Sequence, residues 1–425
     1  MMHPGHSPRS DFFGWRIVAA AGGLQFLLAA LMIHSFGAYV AVLRDSEGWS
    51  KTALSGVAAM QQVEAALLGP IQGWIADRHG PRAMVRTGVV LFASGLMLLG
   101  TAKSLPAFYA IYLLIALGMG LAGYFSLSIV VVNWFERLRS RAMSVVMLGM
   151  VFGGFAAPVV AWSLQTFGWR RTAFVSGLLA LVVGWPLAGQ LHRRPEDLGQ
   201  HVDGIAPKAI APTAVAATSA PIPAVRDATV HEALRSRTFW LLGLGHASSL
   251  LVVSAVNVHA VTHIKEGLGY SLTQAASMLT VQTFAYGLGV FASGVLGDRW
   301  NKARLSAGCL LLHALALFAL AHATSWGAVL AAGVAHGFAW GLRGPLMNAL
   351  RADHFGREAI GTILGLSMLI VLFGQVGGPM IAGVLADATG SYRLGFSLLA
   401  ALAGLGSCFF LLVPSSPRKA SAPAG

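Results

Sequence analysis

Residues 73–82 read GWIADRHGPR, and 221 residues further along, residues 294–303 read GVLGDRWNKA. In each stretch a long apolar run stops at an Asp-Arg pair and turns. Gly73 aligns with Gly294, Asp77 with Asp298 and Arg78 with Arg299. The same ungapped offset carries Gln61 to Gln282, Gly120-Leu121 to Gly341-Leu342, Phe152-Gly153 to Phe373-Gly374, and Pro158 to Pro379. Matches of Gly and Leu are cheap in a chain this rich in both. An Asp-Arg pair, a Gln and a Pro on one offset are not, and they mark two parallel copies of one module.

Composition says where such a module lives. Of 425 residues 56% are hydrophobic and only 11% charged, with a mean hydropathy of +0.68. A soluble helical protein of this length needs far more charge to cover its surface, so the chain belongs in a bilayer. Fifty-one glycines suit membrane helices that pack closely through small residues. The net charge of +13 would suggest nucleic acid in a soluble protein. Here the charges sit at helix ends. With the N-terminus inside, 21 Lys and Arg fall on the cytoplasmic side and 7 on the other, and Arg343 falls within a span. That asymmetry puts both termini in the cytoplasm. It assigns the basic surplus to topology and anionic lipid, with no nucleic acid as partner.

Apolar runs long enough to cross about 30 Å at 1.5 Å per residue lie near residues 15–43, 52–76, 83–102, 106–135, 141–166 and 170–191. Six more lie near 238–264, 272–297, 304–323, 326–350, 359–386 and 393–414. The expected fold is an all-α integral membrane protein with 12 transmembrane helices in two parallel six-helix bundles. One bundle spans 1–191 and the other 238–425. Between them, residues 192–237 hold RRPEDLG and an Ala/Pro/Thr stretch without helical or strand periodicity, read as a flexible cytoplasmic linker. The first run is too long for a signal-peptide core and lacks a small-residue cleavage pattern, so the first span is expected to be retained. Cys309 and Cys408 fall within apolar runs, and neither a disulfide framework nor metal-ligand spacing follows. No cofactor or metal is expected.

Twelve spans as two parallel sixes, a hydrophilic central loop, and G-x-L/I-x-D-R after the second span of each half resemble the major facilitator superfamily. Gly73, Asp77, Arg78, Gly80 and Arg82 fall where that superfamily's loop between spans two and three has them. The second copy departs, with Asn301 for Gly and Ala303 for Arg. Within the superfamily, FGWRIVAAAGG (13–23), EGWSKTALSG (47–56), RRPEDLG (193–199) and LRSRTFWLLGLG (234–245) are similar to the bacterial monocarboxylate and oxalate/formate transporter group. That group usually has a cation in its eighth span, whereas SMLTVQTFAYGLG (277–289) has none. Drug/proton antiporters have a Gly-Pro pair followed by glycines in span five, whereas here Ala157 precedes Pro158 and two valines follow.

Arg343 is the sharpest site signal. A central intramembrane Arg costs about 2.5–3.5 kcal/mol on insertion scales, and something must offset that. Its repeat partner is Ala122, so the scaffold does not require the charge. His336, Trp340, Arg343 and Met347 follow 4-3-4 spacing and share one helical face. The resemblance implies that spans one, four, seven and ten line a central cavity. An Arg there suits a carboxylate, whose two oxygens match its fork of donors. The alternatives are an internal pair with an acid such as Glu64, or snorkelling to the interface.

Glu64 is the one acidic residue well inside a span, and a buried carboxyl tends to hold its proton until a cation approaches. It is a candidate proton carrier, as is His259, which sits where the subfamily pattern often has His. Gln61 and Gln282 read as scaffold glue or paired substrate donors. His246 and Asn257 share a face of span seven, and Tyr124 follows Gly120 and Gly123 in span four. All three are candidate substrate contacts. Asp77 ends a span where neighbouring helices begin, so it can meet a positive helix N-terminus while Gly73 permits close approach. The resemblance assigns Gly73, Asp77, Arg78 and Arg82, with Asp298 and Arg299, to the closed cytoplasmic gate.

The function expected is secondary transport of a small, monocarboxylate-like anion across a bacterial inner membrane by alternating access, with proton symport, in a monomer. Anion exchange and export of drugs or metabolites are the alternatives. No nucleophile-base pair, metal constellation or phosphate loop points to an enzyme.

Overall fold

The structure, a computed structural model, describes residues 12–49, 51–206 and 227–415, and every regular element among them is helical. Eight α-helices precede the central loop: α1 (Gly14–Leu28), α2 (Phe36–Glu47), α3 (Lys51–His79), α4 (Pro81–Leu99), α5 (Leu105–Ala122), α6 (Tyr124–Trp134), α7 (Arg139–Phe167) and α8 (Trp169–Gly189). Seven follow it: α9 (Val230–Arg235), α10 (Arg237–Thr262), α11 (Leu272–Leu296), α12 (Lys302–Ala321), α13 (Trp326–Phe355), α14 (Ile360–Thr389) and α15 (Tyr392–Leu411). The run expected at 15–43 breaks at a π-turn over Ala29–Ile33. The run at 106–135 breaks at Gly123, which is extended between α5 and α6.

Ten helical stretches among the described residues are long and apolar enough to cross a membrane, against the twelve expected. The long helices outside that set are α3 and α13. Both carry buried polar groups: Glu64 and Gln72 in α3, and His336, Arg343, Asn348, Arg351 and Asp353 in α13. Their mean hydropathy falls because their inward faces are polar, and each is long, at 29 and 30 residues. At 1.5 Å per residue either exceeds a 30 Å hydrocarbon layer.

Packing follows the repeat. In the first half α4 lies against α5 and α8, and α1 against α7 and α8. In the second α12 lies against α13 and α15, and α10 against α14 and α15. Between the halves α13 meets α7, and the two most extensive contacts are α3 with α14 and α11 with α7. The 221-residue offset interchanges them, since it maps α3 onto α11 and α7 onto α14. At the first contact the backbones nearly touch: a Cβ on Gly73 would lie 2.1 Å from the Gly361 carbonyl oxygen, so only glycine fits.

The central loop is tied down at both described ends, where a flexible linker was expected. Pro195–Leu198 and Val202–Gly204 form 3-10 turns. Trp134 donates its indole N–H to His192 O at 2.9 Å, and Phe13 N donates to Gln200 Oε1 at 3.0 Å. Asp203 accepts from the backbone of Glu136 and Arg137, while Asp227 accepts from that of Arg357 and Glu358. Those two pairs are themselves one repeat apart, so each end of the loop grips the equivalent turn in its own half. The Ala/Pro/Thr stretch lies outside the described residues.

Candidate functional site

Between the halves lies a cavity of about 410 Å³, lined by α3, α5, α6, α7, α10, α13 and α14. Its α13 wall presents Trp340, Arg343, Gly344 and Met347. The 4-3-4 stripe therefore faces the cavity over its last three members. Arg343 is 1% exposed, and its Nε and Nη1 have no hydrogen-bond partner. No ion pair with Glu64 or any other carboxylate forms among the described residues. A buried cation with free donors is costly unless something arrives to satisfy it.

Arg351, counted in the sequence as a flanking topological charge, is part of this region. α13 continues to Phe355 and buries it fully. Its Nε donates to Ser367 Oγ at 2.9 Å, Nη1 to Met347 O at 3.2 Å, and Nη2 reaches His246 Nδ1 at 3.2 Å. Because an arginine only donates, His246 Nδ1 is the acceptor and its proton sits on Nε2. His246 lines the cavity, and so does Tyr124, whose hydroxyl has no partner among the described residues. The signal for Arg351 was present: 343, 347 and 351 continue the stripe by one turn.

Other expected site residues lie elsewhere. His336 is not on the cavity wall; its Nδ1 meets His313 Nδ1 at 3.1 Å, both rings buried. Gln282 donates to Asn257 Oδ1 at 3.4 Å, and Gln61 accepts from Tyr112 at 3.1 Å, so each ties helices within its own half. His259 bonds Pro379 O at 3.0 Å beside the Tyr392 ring, outside the cavity. Glu64 is buried on α3 with Oε1 unpartnered, facing Gly120 next to the equally unpartnered Gln72 Nε2. Gln72 and Gly120 line the cavity, so Glu64 stands at its margin.

The Asp-Arg loops form two interlocking caps. Asp77 accepts from Gly361 N at 3.0 Å, and from Thr362 N and Thr362 Oγ1, each at 2.8 Å. Asp298 accepts from Ser140 N at 2.8 Å and Arg141 N at 3.1 Å. These donors are the second and third residues of α14 and α7, neither of which has a side-chain cap of its own. Each aspartate is thus an N-cap supplied by the other half. Burial pushes the Asp298 carboxyl above the ordinary aspartate range, against its backbone hydrogen bonds and Lys302, which pull it down. Arg78 stacks on Trp74 and Arg299 is exposed, so neither arginine crosses between halves. Arg82 stays in its own half, donating to Gly189 O and to His192 Nε2. Burial and the charge of Arg82 hold His192 below the usual histidine range.

A buried ion cluster unmarked in the sequence reinforces the same face. Asp353 takes Arg139 from the first half at 2.5 Å and Lys302 at 2.6 Å. Arg357 adds a bond to Asn133 O at 2.9 Å and one to Glu196 at 3.4 Å. The halves are therefore locked together on the side that carries the central loop.

The sequence profile of the Major Facilitator Superfamily matches residues 12–244 and 242–425. Monocarboxylate transporter 13 of Rattus norvegicus is 28% identical over 96% of this chain and 90% of its own length. Monocarboxylate transporter 11 of Mus musculus is 27% identical over 96% and 89%. Among solved structures, the human organic anion transporter MFSD10 superposes with a TM-score of 0.70 at 17% identity, covering 95% of this chain and all of that one. The E. coli fucose:proton symporter FucP superposes with a TM-score of 0.69 at 15% identity, covering 94% and 98%.

Proposed function

The chain belongs to the Major Facilitator Superfamily, as a multi-pass membrane transporter of small organic solutes and not an enzyme, and on that premise we propose that its cargo is a small carboxylate. The observation that carries this reading is Arg343, a buried cation with two unpartnered donors on the wall of a cavity between the halves. The N–H bonds of these donors point to different sides of the guanidinium, so the carboxylate places one oxygen on one of them, which restores part of the hydrogen bonding that burial removed. His246, fixed as its Nε2–H tautomer by Arg351, supplies a second donor, and Tyr124 a third. A cavity of about 410 Å³ has room for a few-carbon acid. The resemblance to mammalian monocarboxylate transporters along nearly the whole chain supports the same class of cargo.

In this proposal α3 and α13 complete twelve spans in two six-helix bundles, with the central loop and both termini in the cytoplasm of a bacterial cell. The chain works as a monomer in the inner membrane. The two trans caps and the Asp353 cluster hold the cytoplasmic side shut, and transport requires them to release as the halves rock around the cavity. Glu64, at the cavity margin, carries the coupled proton. The test is uptake of labelled carboxylates into proteoliposomes under an inward proton gradient. One acid should accumulate in wild type, and Arg343→Gln should fail while remaining folded. No accumulation of any acid, or an unaffected variant, overturns the proposal.

A further inference from the structure

The repeat breaks its own symmetry on the outer face of the second half. In the first half Gly88 on α4 packs directly on α5: a Cβ there would lie 2.6 Å from Ala122 N and 2.8 Å from Gly118 O. The repeat-equivalent positions are Cys309 on α12 and Ala339 on α13, both buried, so side chains replace glycine at this seam. Beside it a groove of about 600 Å³ opens along α12, walled by Leu305, Gly308, Cys309 and Leu312, with Leu342 of α13. A Cβ on Gly308 would meet nothing within 4 Å. Leu311, Leu315 and Phe318, exposed further along α12, continue an apolar surface outward.

The mouth of the groove is chemically different from its walls. Trp300, 59% exposed, and Asn301 stand there with Arg304. Asn301 Oδ1 is occupied by the backbone of Arg304 as the cap of α12, while the Arg304 guanidinium has no partner among the described residues. The exposed Arg299 lies one residue before the indole. An apolar groove, an indole at its rim and two guanidinium groups beyond it without partners among the described residues complement a single acyl chain beneath a negatively charged headgroup. The first half lacks this pattern: Gly308 and Arg304 correspond to Thr87 and Ala83, and Trp300 to His79.

We propose that this groove is a binding site for one anionic phospholipid, its acyl chain along Gly308 and its phosphate on Arg304 and Arg299. The site is separate from the Arg343 cavity and does not depend on the identity of the cargo. The headgroup sits beside Asp298, one residue before Arg299, so occupancy bears on the α7 cap.

The experiment is native mass spectrometry of the full chain purified with an equimolar mixture of phosphatidylglycerol and phosphatidylcholine. Wild type should retain one phosphatidylglycerol in preference. Arg299→Gln with Arg304→Gln should lower that preference by about 30-fold, the loss of two interfacial cations. Gly308→Leu starts from a position where a Cβ meets nothing within 4 Å and projects into the groove, so it should keep the thermal stability of wild type and lose the lipid with both arginines intact. Equal retention of phosphatidylcholine overturns the proposal, as does undiminished retention by Gly308→Leu. Displacement of the phospholipid by palmitate at equal concentration would assign the groove to free fatty acid and likewise overturn it.

Discussion

Replacing Asp77 with alanine should release the face that carries the central loop. Among the described residues, Asp77 supplies the only side-chain cap of the α14 N-terminus, through three bonds of 2.8–3.0 Å to Gly361 and Thr362. Loss of an N-cap costs about 1 kcal/mol. All three bonds cross between the halves, so the whole cost falls on the closed arrangement. About 1 kcal/mol shifts the closed-to-open ratio by roughly fivefold. Spin labels at exposed His79 and Glu358 flank this contact, and pulsed dipolar spectroscopy reads the separation between them. The variant should show a longer-distance population that wild type lacks. Arg78→Gln should not, because Arg78 stacks on Trp74 and reaches nothing in the other half. An unchanged distance distribution in Asp77→Ala, or an equal change in Arg78→Gln, refutes the argument.

Asp298 makes a prediction about pH. Burial raises its pKa in the closed arrangement, whereas a solvated aspartate titrates near 3.9. The closed form thus binds the proton more tightly, gains as pH falls through the window between the two values, and loses that gain as pH rises through the upper one. Label distances across Arg141 and Arg304 should shorten on acidification in wild type and respond less in Asp298→Ala; an identical response in both contradicts the assignment. Asp353→Asn leaves Arg139 and Lys302 buried without their counter-charge and should cost about 3–5 kcal/mol. That would appear as a marked fall in thermal stability in detergent, and a loss below about 1 kcal/mol would show that water already reaches the cluster. Arg351→Gln frees His246 to take either tautomer and should weaken cargo binding by about tenfold, the value of one charge-assisted hydrogen bond. Nitrogen-15 shifts of His246 should report the mixed tautomers, and a pure Nε2–H signal in the variant would show that Arg351 is not what fixes the ring.

The helical membrane architecture was legible because it rests on composition and run length, which need no tertiary information. The contacts of Asp77 and Asp298 with helix N-termini were legible too. A carboxylate at a span end, close to a glycine and matched across a repeat, has few partners besides a helix N-terminus. Arg343 stood out for a similar reason, as a charge where the other half has Ala122. Pairings across long separations were not legible. His336 occupies the same stripe as Arg343, yet His313, 23 residues away on α12, takes it out of the cavity. His259 is claimed by Pro379 O on another helix, and Gln282 by Asn257. Arg351 was misread for a different reason: hydropathy ends a span where polar residues begin, but α13 carries on with its polar side turned inward. The ion cluster at Asp353 joins three helices whose contributing residues are unremarkable one at a time.

The central claim is that Arg343 holds the carboxylate, and equilibrium binding tests it without the coupling and gating steps of transport. Purified wild type and Arg343→Gln should be titrated with whichever labelled acid the proteoliposomes accumulate, in a scintillation proximity assay. Wild type should saturate at one acid per chain, and the variant should lose at least about tenfold in affinity, the lower end of what a charge-assisted contact supplies. Equal affinity in a folded variant would place the anion elsewhere and leave Arg343 a structural charge.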